Sequence, residues 1–221
     1  YGQGTQYDEN NRPLWAVDFN LQYGEYGAYA LSNDEKNIIL TFDQGYENGY
    51  TSKILDVLKE KNVKAIFFLT GDYAQKETEL VQRMIDEGHC LGNHGMKHLK
   101  MSEISETELN EEIMSLHNLV LDKYGYEMQY LRPPCGEFSE SSLKTIQNAG
   151  YKTIMWSFAY VDWNADNQPT HDEAFSKLIP RIHPGAIVLL HNTSKTNGEI
   201  LDELLTKWEE MGYSFKTLEE F

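Results

Sequence analysis

"IILTFDQG", residues 38–45, runs a short apolar segment straight into Asp43 and then turns through Gln44-Gly45. The apolar part reads as a buried strand. Taken alone, its ending is ordinary turn chemistry, since Gly supplies positive φ and Asp bonds nearby backbone donors. The pattern recurs, however. Short apolar runs at 65–69, 90–91, 129–131, 153–156, 186–190 and 214–216 join 38–42 as seven strand candidates. Helical patterns at 52–61, 77–87, 106–123, 140–149, 171–179 and 199–211 alternate with them, many left through Gly88, Gly125, Gly150 or Gly212. Strand-then-helix repetition predicts a parallel sheet with helices outside, wound open or closed into a barrel. The first 36 residues read differently: "YGQGTQYDENNRP" and "QYGEYGAYA" are rich in Gly and Tyr without period, so an irregular N-terminal wrap is expected there.

Length and composition bound the function. A chain of 221 residues with 40% hydrophobic content buries one sizeable core, and α/β barrels of this size are commonly one domain. The formal charge of −16, from 19 basic and 35 acidic residues, repels nucleic acid and anionic lipid and argues against a polyanionic partner. Glu-rich stretches such as "SEISETELNEEI", residues 102–113, read as solvated surface. No apolar stretch approaches the roughly 20 residues that span a bilayer. The sequence starts at Tyr1 without Met or a signal-like apolar region, so the protein is expected either to be soluble as made or to lack its leader here. Two cysteines, Cys90 and Cys135, are too few for a disulfide framework or a Cys-rich metal site, and both are expected as free thiols.

The titratable residues gather at one kind of position. Asp43 follows the first strand candidate, His94 and His98 the third, Arg132 the fourth; Asp162 lies beyond the fifth, and His191 ends the sixth. In a β/α barrel the C-terminal strand ends carry the active site, because the loops after the strands converge there. In "GNHGMKHLKM", His94 and His98 are four apart, and on a helical turn or tight loop two such imidazoles face one divalent ion. On an exposed helix H-x-x-x-H is an ordinary solvated pair; its place directly after a strand, on the face of Asp43, favours the metal reading. His89, His117, His171 and His183 read as surface or core-edge residues.

Five separated segments, "TFDQG", "HGMKH", "RPPCG", "YVDW" and "IVLLH", in this order and spacing, resemble the motifs of the polysaccharide deacetylase family, the NodB-homology domain of carbohydrate esterase family 4. The match runs from about Asn37 to the C terminus, which divides the chain into a wrap at 1–36 and a catalytic domain at 37–221. The fold implied is α/β, an irregular (β/α)7-type barrel in a single domain with an irregular N-terminal extension. Within the family, "TFDQGYENGYT", "LRPPCGEFSE" and "YVDWN" most resemble the spore-cortex enzymes that deacetylate muramic acid on the way to muramic δ-lactam. An exported protein of the cell envelope or spore cortex is implied, with a peptidoglycan glycan strand as its partner.

The resemblance also implies roles. Amide hydrolysis needs an activated water, an oxyanion stabiliser and an acid for the leaving amine. Asp43 matches the general base, and His94 and His98 match metal ligands. Arg132 would tether Asp43 and keep it ionised. His191 matches the general acid, with Asp162 holding its other ring nitrogen and favouring the imidazolium. The Cys135 N–H, after Pro133-Pro134, is expected to help bind the oxyanion. Trp163 is expected to line the pocket, with Tyr46, Phe138 and Tyr160 as lesser candidates. Three residues depart from the family pattern. Gln44 stands where a second Asp usually supplies the third metal ligand, Gly95 replaces a Ser or Thr that braces the loop, and Cys135 replaces Tyr or Arg. A divalent metal, Zn²⁺ foremost, is therefore expected to be held weakly. The competing readings are a deacetylase of another glycan, such as N-acetylglucosamine or chitin oligomers, and a noncatalytic glycan-binding module.

Overall fold

The computed structural model describes residues 6–32 and 35–218. Among the described residues, nine strands form one parallel sheet: β1 (Ala28–Tyr29), β2 (Asn37–Gln44), β3 (Ile66–Leu69), β4 (Cys90–Asn93), β5 (Tyr130–Leu131), β6 (Lys152–Ile154), β7 (Phe158–Ala159), β8 (Ala186–His191) and β9 (Ser214–Phe215). Their order is β1-β6-β5-β4-β3-β2-β8-β7, with β9 beside the start of β2. Eight α-helices of the described residues accompany them: α1 (Leu14–Tyr23), α2 (Thr51–Glu60), α3 (Gly71–Lys76), α4 (Thr78–Asp86), α5 (Glu106–Tyr124), α6 (Glu140–Asn148), α7 (His171–Leu178) and α8 (Lys195–Glu210). All seven expected strands and all six expected helices are present.

In the curled sheet β2 is buried on both faces, and side-chain alternation sorts its residues between two cores. Ile38, Leu40 and Phe42 pack in the larger cluster with helices α2 and α8, whereas Ile39 joins Ile66, Phe68, Ile187 and Leu189 in a second cluster inside the curl. The curl is completed by one bent segment. The strand expected at 153–156 ends early: β6 stops at Ile154, pairing with β5, and beyond Met155 and Trp156 the chain changes neighbours, so that a further strand, β7, pairs with β8. Ser157 N–H donates to the Ile187 carbonyl at that change.

The N-terminal segment is more regular than expected. Its apolar residues lie on several faces of α1, so they carry no helical period, yet Ala16 and Phe19 are buried with Ala28, Ala30 and Leu31 in the inner cluster. β1 pairs with β6, and Leu31 bridges to Ala186. Helix α3 was also missed, because six residues are too few to show a period; Thr70 caps it by accepting from Tyr73 N–H. His171 is exposed and His117 half-buried, as expected, but His89 and His183 are core residues. Ala65 N–H donates to His89 Nδ1, and Ser157 Oγ lies 2.8 Å from His183 Nε2. Both cysteines are thiols outside any disulfide, Cys135 exposed and Cys90 half-buried.

Candidate active site

Register brings the titratable residues together. Asp43 and His191 are direct partners across β2 and β8, while His94 and Arg132 follow the adjacent strands β4 and β5. Asp43, His94, His98, Trp163 and His191 line one cavity of about 440 Å³ with Tyr46, Asp72, Lys97 and Asn192. That size suits a small ligand or one unit of a polymer. A separate cleft beside His89, Cys90 and Tyr126 lies at the start of β4 and shares none of the residues that line this cavity.

Arg132 is fully buried and shares its guanidinium among four acceptors. Nη1 donates to Asp43 Oδ1 and Thr41 Oγ1, both at 2.8 Å; Nε donates to the Ile154 carbonyl at 3.0 Å and Nη2 to the Met155 carbonyl at 2.9 Å. It thus satisfies the backbone where the bent segment leaves β6, and fixes Asp43 in the same act. Its guanidinium stacks over the Phe68 ring at 4.3 Å. Phe68 occupies the space over Gly92, where a Cβ would come within 2.3 Å of the ring. Burial pushes Asp43 toward its neutral form, but the Arg132 guanidinium foremost outweighs it and holds the carboxylate below its usual range.

The two histidine roles are set by backbone and carboxylate partners. His94 Nδ1 donates to the Arg132 carbonyl at 2.8 Å, which leaves Nε2 unprotonated, 3.5 Å from Asp43 Oδ2. Burial lowers the His94 pKa to about 4, so the ring is neutral. His98 sits beside it, ring centroids 4.9 Å apart, and burial lowers its pKa as well. The pair stands on a tight loop rather than a helix, with His98 itself at φ 59°. His191 is treated oppositely. Its Nδ1 donates to Asp162 Oδ1 at 2.7 Å and its backbone N–H to Oδ2 at 2.8 Å. Burial opposes the imidazolium, but the Asp162 carboxylate prevails and raises the pKa above the ordinary value.

Two positioning residues had not been foreseen. Asn197 of α8 donates to Asp162 Oδ2 at 2.7 Å and accepts from the Tyr160 hydroxyl, completing the shell behind His191. Nothing in sequence spacing marks it. Glu112 of α5 is buried, contrary to the solvated reading of its stretch, and accepts from Lys97 N–H with both carboxylate oxygens, at 3.2 and 3.0 Å. It braces the histidine loop in place of the hydroxyl that Gly95 lacks. Helical spacing carried the signal, because Glu112 lies on one face with Leu109, Ile113 and Leu116, all buried.

Other expected residues sit less centrally. Trp163 lines the cavity with its ring 6.0 Å from that of His191, and Tyr46 lines it too. Phe138 packs against Phe19 and Tyr23, and Tyr160 is buried. Cys135 has left-handed φ of 59° in the turn after Pro134; neither it nor Gln44 is among the residues lining the cavity. Gln44 is fully buried, and neither its amide oxygen nor its nitrogen has a hydrogen-bond partner. Among the described residues no group of three His, Cys, Asp or Glu forms a metal cluster. The cavity offers two imidazoles, one with its tautomer fixed, which are donors of the kind a divalent ion takes, whereas Gln44 at the end of β2 is buried outside the lining.

Residues 30–154 match the polysaccharide deacetylase family. The peptidoglycan-N-acetylmuramic acid deacetylase PdaA of Bacillus subtilis (strain 168) is 43% identical over 98% of this chain and 84% of its own length. The solved structure of Bacillus subtilis PdaA, a family 4 carbohydrate esterase, superimposes with a TM-score of 0.92 at 40% identity, covering 98% of this chain and 93% of that one. A peptidoglycan-N-acetylglucosamine deacetylase of Bacillus cereus is 33% identical over 97% of this chain and 78% of its own length. The chain belongs to the polysaccharide deacetylase family, carbohydrate esterase family 4.

Proposed function

We propose that this protein hydrolyses the N-acetyl group of N-acetylmuramic acid in peptidoglycan glycan strands, releasing acetate and leaving the amine from which muramic δ-lactam forms. One observation carries the reading. A carboxylate held ionised by Arg132 and an imidazole held protonated by Asp162 face one cavity from paired positions on neighbouring strands. A binding module needs no such opposed pair. The choice of muramic acid is supported by the likeness to PdaA over nearly the whole chain.

Asp43 takes the proton of the attacking water as its oxygen bonds to the acetyl carbon. His191 then gives the proton on its cavity-facing nitrogen to the amine as the C–N bond breaks, while Asp162 stabilises the ring's charge from behind. The resemblance assigns the oxyanion to the Cys135 N–H, which follows two prolines without donors, although Cys135 itself does not line the cavity. His94 and His98 would hold a divalent ion such as Zn²⁺, with Gln44 as the neutral third donor that the resemblance assigns, and that ion would supply Lewis-acid polarisation of the carbonyl. The substrate places the enzyme in the cell envelope, and δ-lactam formation in the spore cortex. No helix of the described residues is long and apolar enough to cross a membrane.

The test is acetate release from stem-peptide-free peptidoglycan, followed by mass spectrometry of the digested strands. Loss of 42 Da per acetyl, about the mass of a ketene unit, is expected on muramic acid. Loss confined to glucosamine would favour the reading drawn from the Bacillus cereus relative, and no release with any divalent metal would reject catalysis.

A further inference from the structure

Charges around the cavity are matched in pairs, with one exception. Asp43 faces Arg132 at 2.8 Å, Asp162 stands behind His191 at 2.7 Å, and Asp72 is engaged by Lys76 at 2.7 Å. His94 is neutral. Lys97 also lines the cavity and is exposed, yet its ammonium has no ion-pair or hydrogen-bond partner among the described residues. In a chain of net charge −16, an uncompensated cation at the mouth of the site calls for an explanation.

The backbone beneath this lysine is firmly held. Glu112 accepts from Lys97 N–H with both oxygens, and the Glu112 carbonyl accepts from Met96 N–H at 3.2 Å. Helix α5 thereby fixes where the side chain starts, between the cavity-lining residues Met96 and His98. A flexible ammonium on an anchored stem, beside a cavity sized for one sugar, suits an anionic group carried by the substrate. Muramic acid differs from glucosamine by a lactyl ether that ends in a carboxylate.

We propose that Lys97 is a specificity-determining residue that receives the lactyl carboxylate of the substrate and so favours muramic acid over neutral glucosamine. The inference rests on the muramic acid reading above. Lys97 takes no part in the proton transfers; it acts on which sugar is held under Asp43 and His191.

The experiment compares wild type, Lys97→Met and Lys97→Arg on two glycan preparations. One is stem-peptide-free peptidoglycan, whose lactyl carboxylates are free; the other is the same material with those carboxylates converted to methylamides. On free strands, Lys97→Met should lose about 10-fold in kcat/KM, mostly through KM, as expected for one charge-assisted contact. Lys97→Arg should stay within about threefold of wild type, because the cation is kept. On amidated strands wild type should fall to the level of Lys97→Met, and added salt should narrow the gap on free strands. Zinc affinity measured by calorimetry should be the same in all three proteins, showing the histidine loop intact. A Lys97→Met deficit that persists undiminished on amidated strands, or that tracks a loss of zinc binding, would overturn the assignment. So would wild-type acetate release from muramic acid with Lys97→Met unimpaired, and that result would leave the muramic acid reading standing. Release from glucosamine alone would overturn both.

Discussion

Asp43 and His191 are neighbours across two strands, and each is held in the protonation state its role requires by a partner on the side away from the cavity. Asp43 is depressed below the carboxylate range and His191 raised above the imidazole value. The rate should therefore climb as pH rises through the depressed pKa of Asp43, hold, and fall as His191 loses its proton above its ordinary value. Asp43→Asn and His191→Ala should each cut turnover by about 10²- to 10⁴-fold with glycan binding retained. In Asp162→Asn the charge that raises His191 is gone, so the alkaline limb of a kcat–pH profile should move to lower pH; an unmoved limb would remove Asp162 from that role. Arg132→Lys is the harsher change. Lysine keeps the charge but cannot reach Asp43, Thr41 and the Ile154 and Met155 carbonyls together. A loss of about 2–5 kcal/mol in denaturant unfolding is expected alongside lower activity. Gln44→Asp puts a carboxylate where a fully buried, unpartnered amide stands. It should lower the melting temperature of metal-stripped protein and tighten zinc binding in calorimetry, since the anion offsets the ion's charge. Equal zinc affinity in the two proteins would exclude Gln44 as a ligand position.

The loop from β4 to α5 shows how an element is tuned without its usual side chain. Gly95 has φ of +84°, which L side chains rarely adopt, and a Cβ there would lie 3.1 Å from Glu112 Oε2. Gly95→Ser is thus not a return to the family pattern; it should destabilise the fold by about 1–3 kcal/mol and weaken zinc binding. Equilibrium unfolding of wild type and variant decides this, and equal midpoints would show that the loop absorbs the side chain. The bent segment from β6 to β7 is the other element that carries the site. Its change of strand neighbour leaves two carbonyls to Arg132, so the seam of the barrel and the orientation of the base depend on one guanidinium.

At the scale of the whole molecule, the N-terminal segment is part of the barrel's interior. Phe19 is buried in the same cluster as Ile39, Ile66 and Leu189 from the central strands, and its ring meets that of Phe138 edge-on at 5.4 Å. Phe19→Ala should cost about 3–5 kcal/mol. The loss should appear in the main unfolding transition of the barrel, followed by near- and far-ultraviolet circular dichroism together; a separate early transition would return the segment to the status of a detachable wrap.

What the sequence by itself determined was whatever is local in the chain. Alternating apolar runs and capped helical patterns marked seven strands and six helices. The abrupt change from apolar to titratable residues at Asp43, His94, Arg132 and His191 marked the strand ends where the site would lie. These signals are legible because strand burial and helix periodicity are properties of neighbouring residues. Helix α1 escaped because its apolar residues face several partners at once, and α3 and β7 because they are too short to show a period. Tertiary structure alone decided that the chain changes strand neighbours after β6, that Arg132 divides its donors equally between backbone carbonyls and side chains, that Asn197 completes the shell around Asp162, and that an acidic residue in a Glu-rich stretch is buried under the histidine loop. Each of these joins groups far apart in the chain. Their hydrogen bonds exist only once the sheet has curled and brought buried donors and acceptors to the same place, where leaving them unpaired would cost more than ordering them.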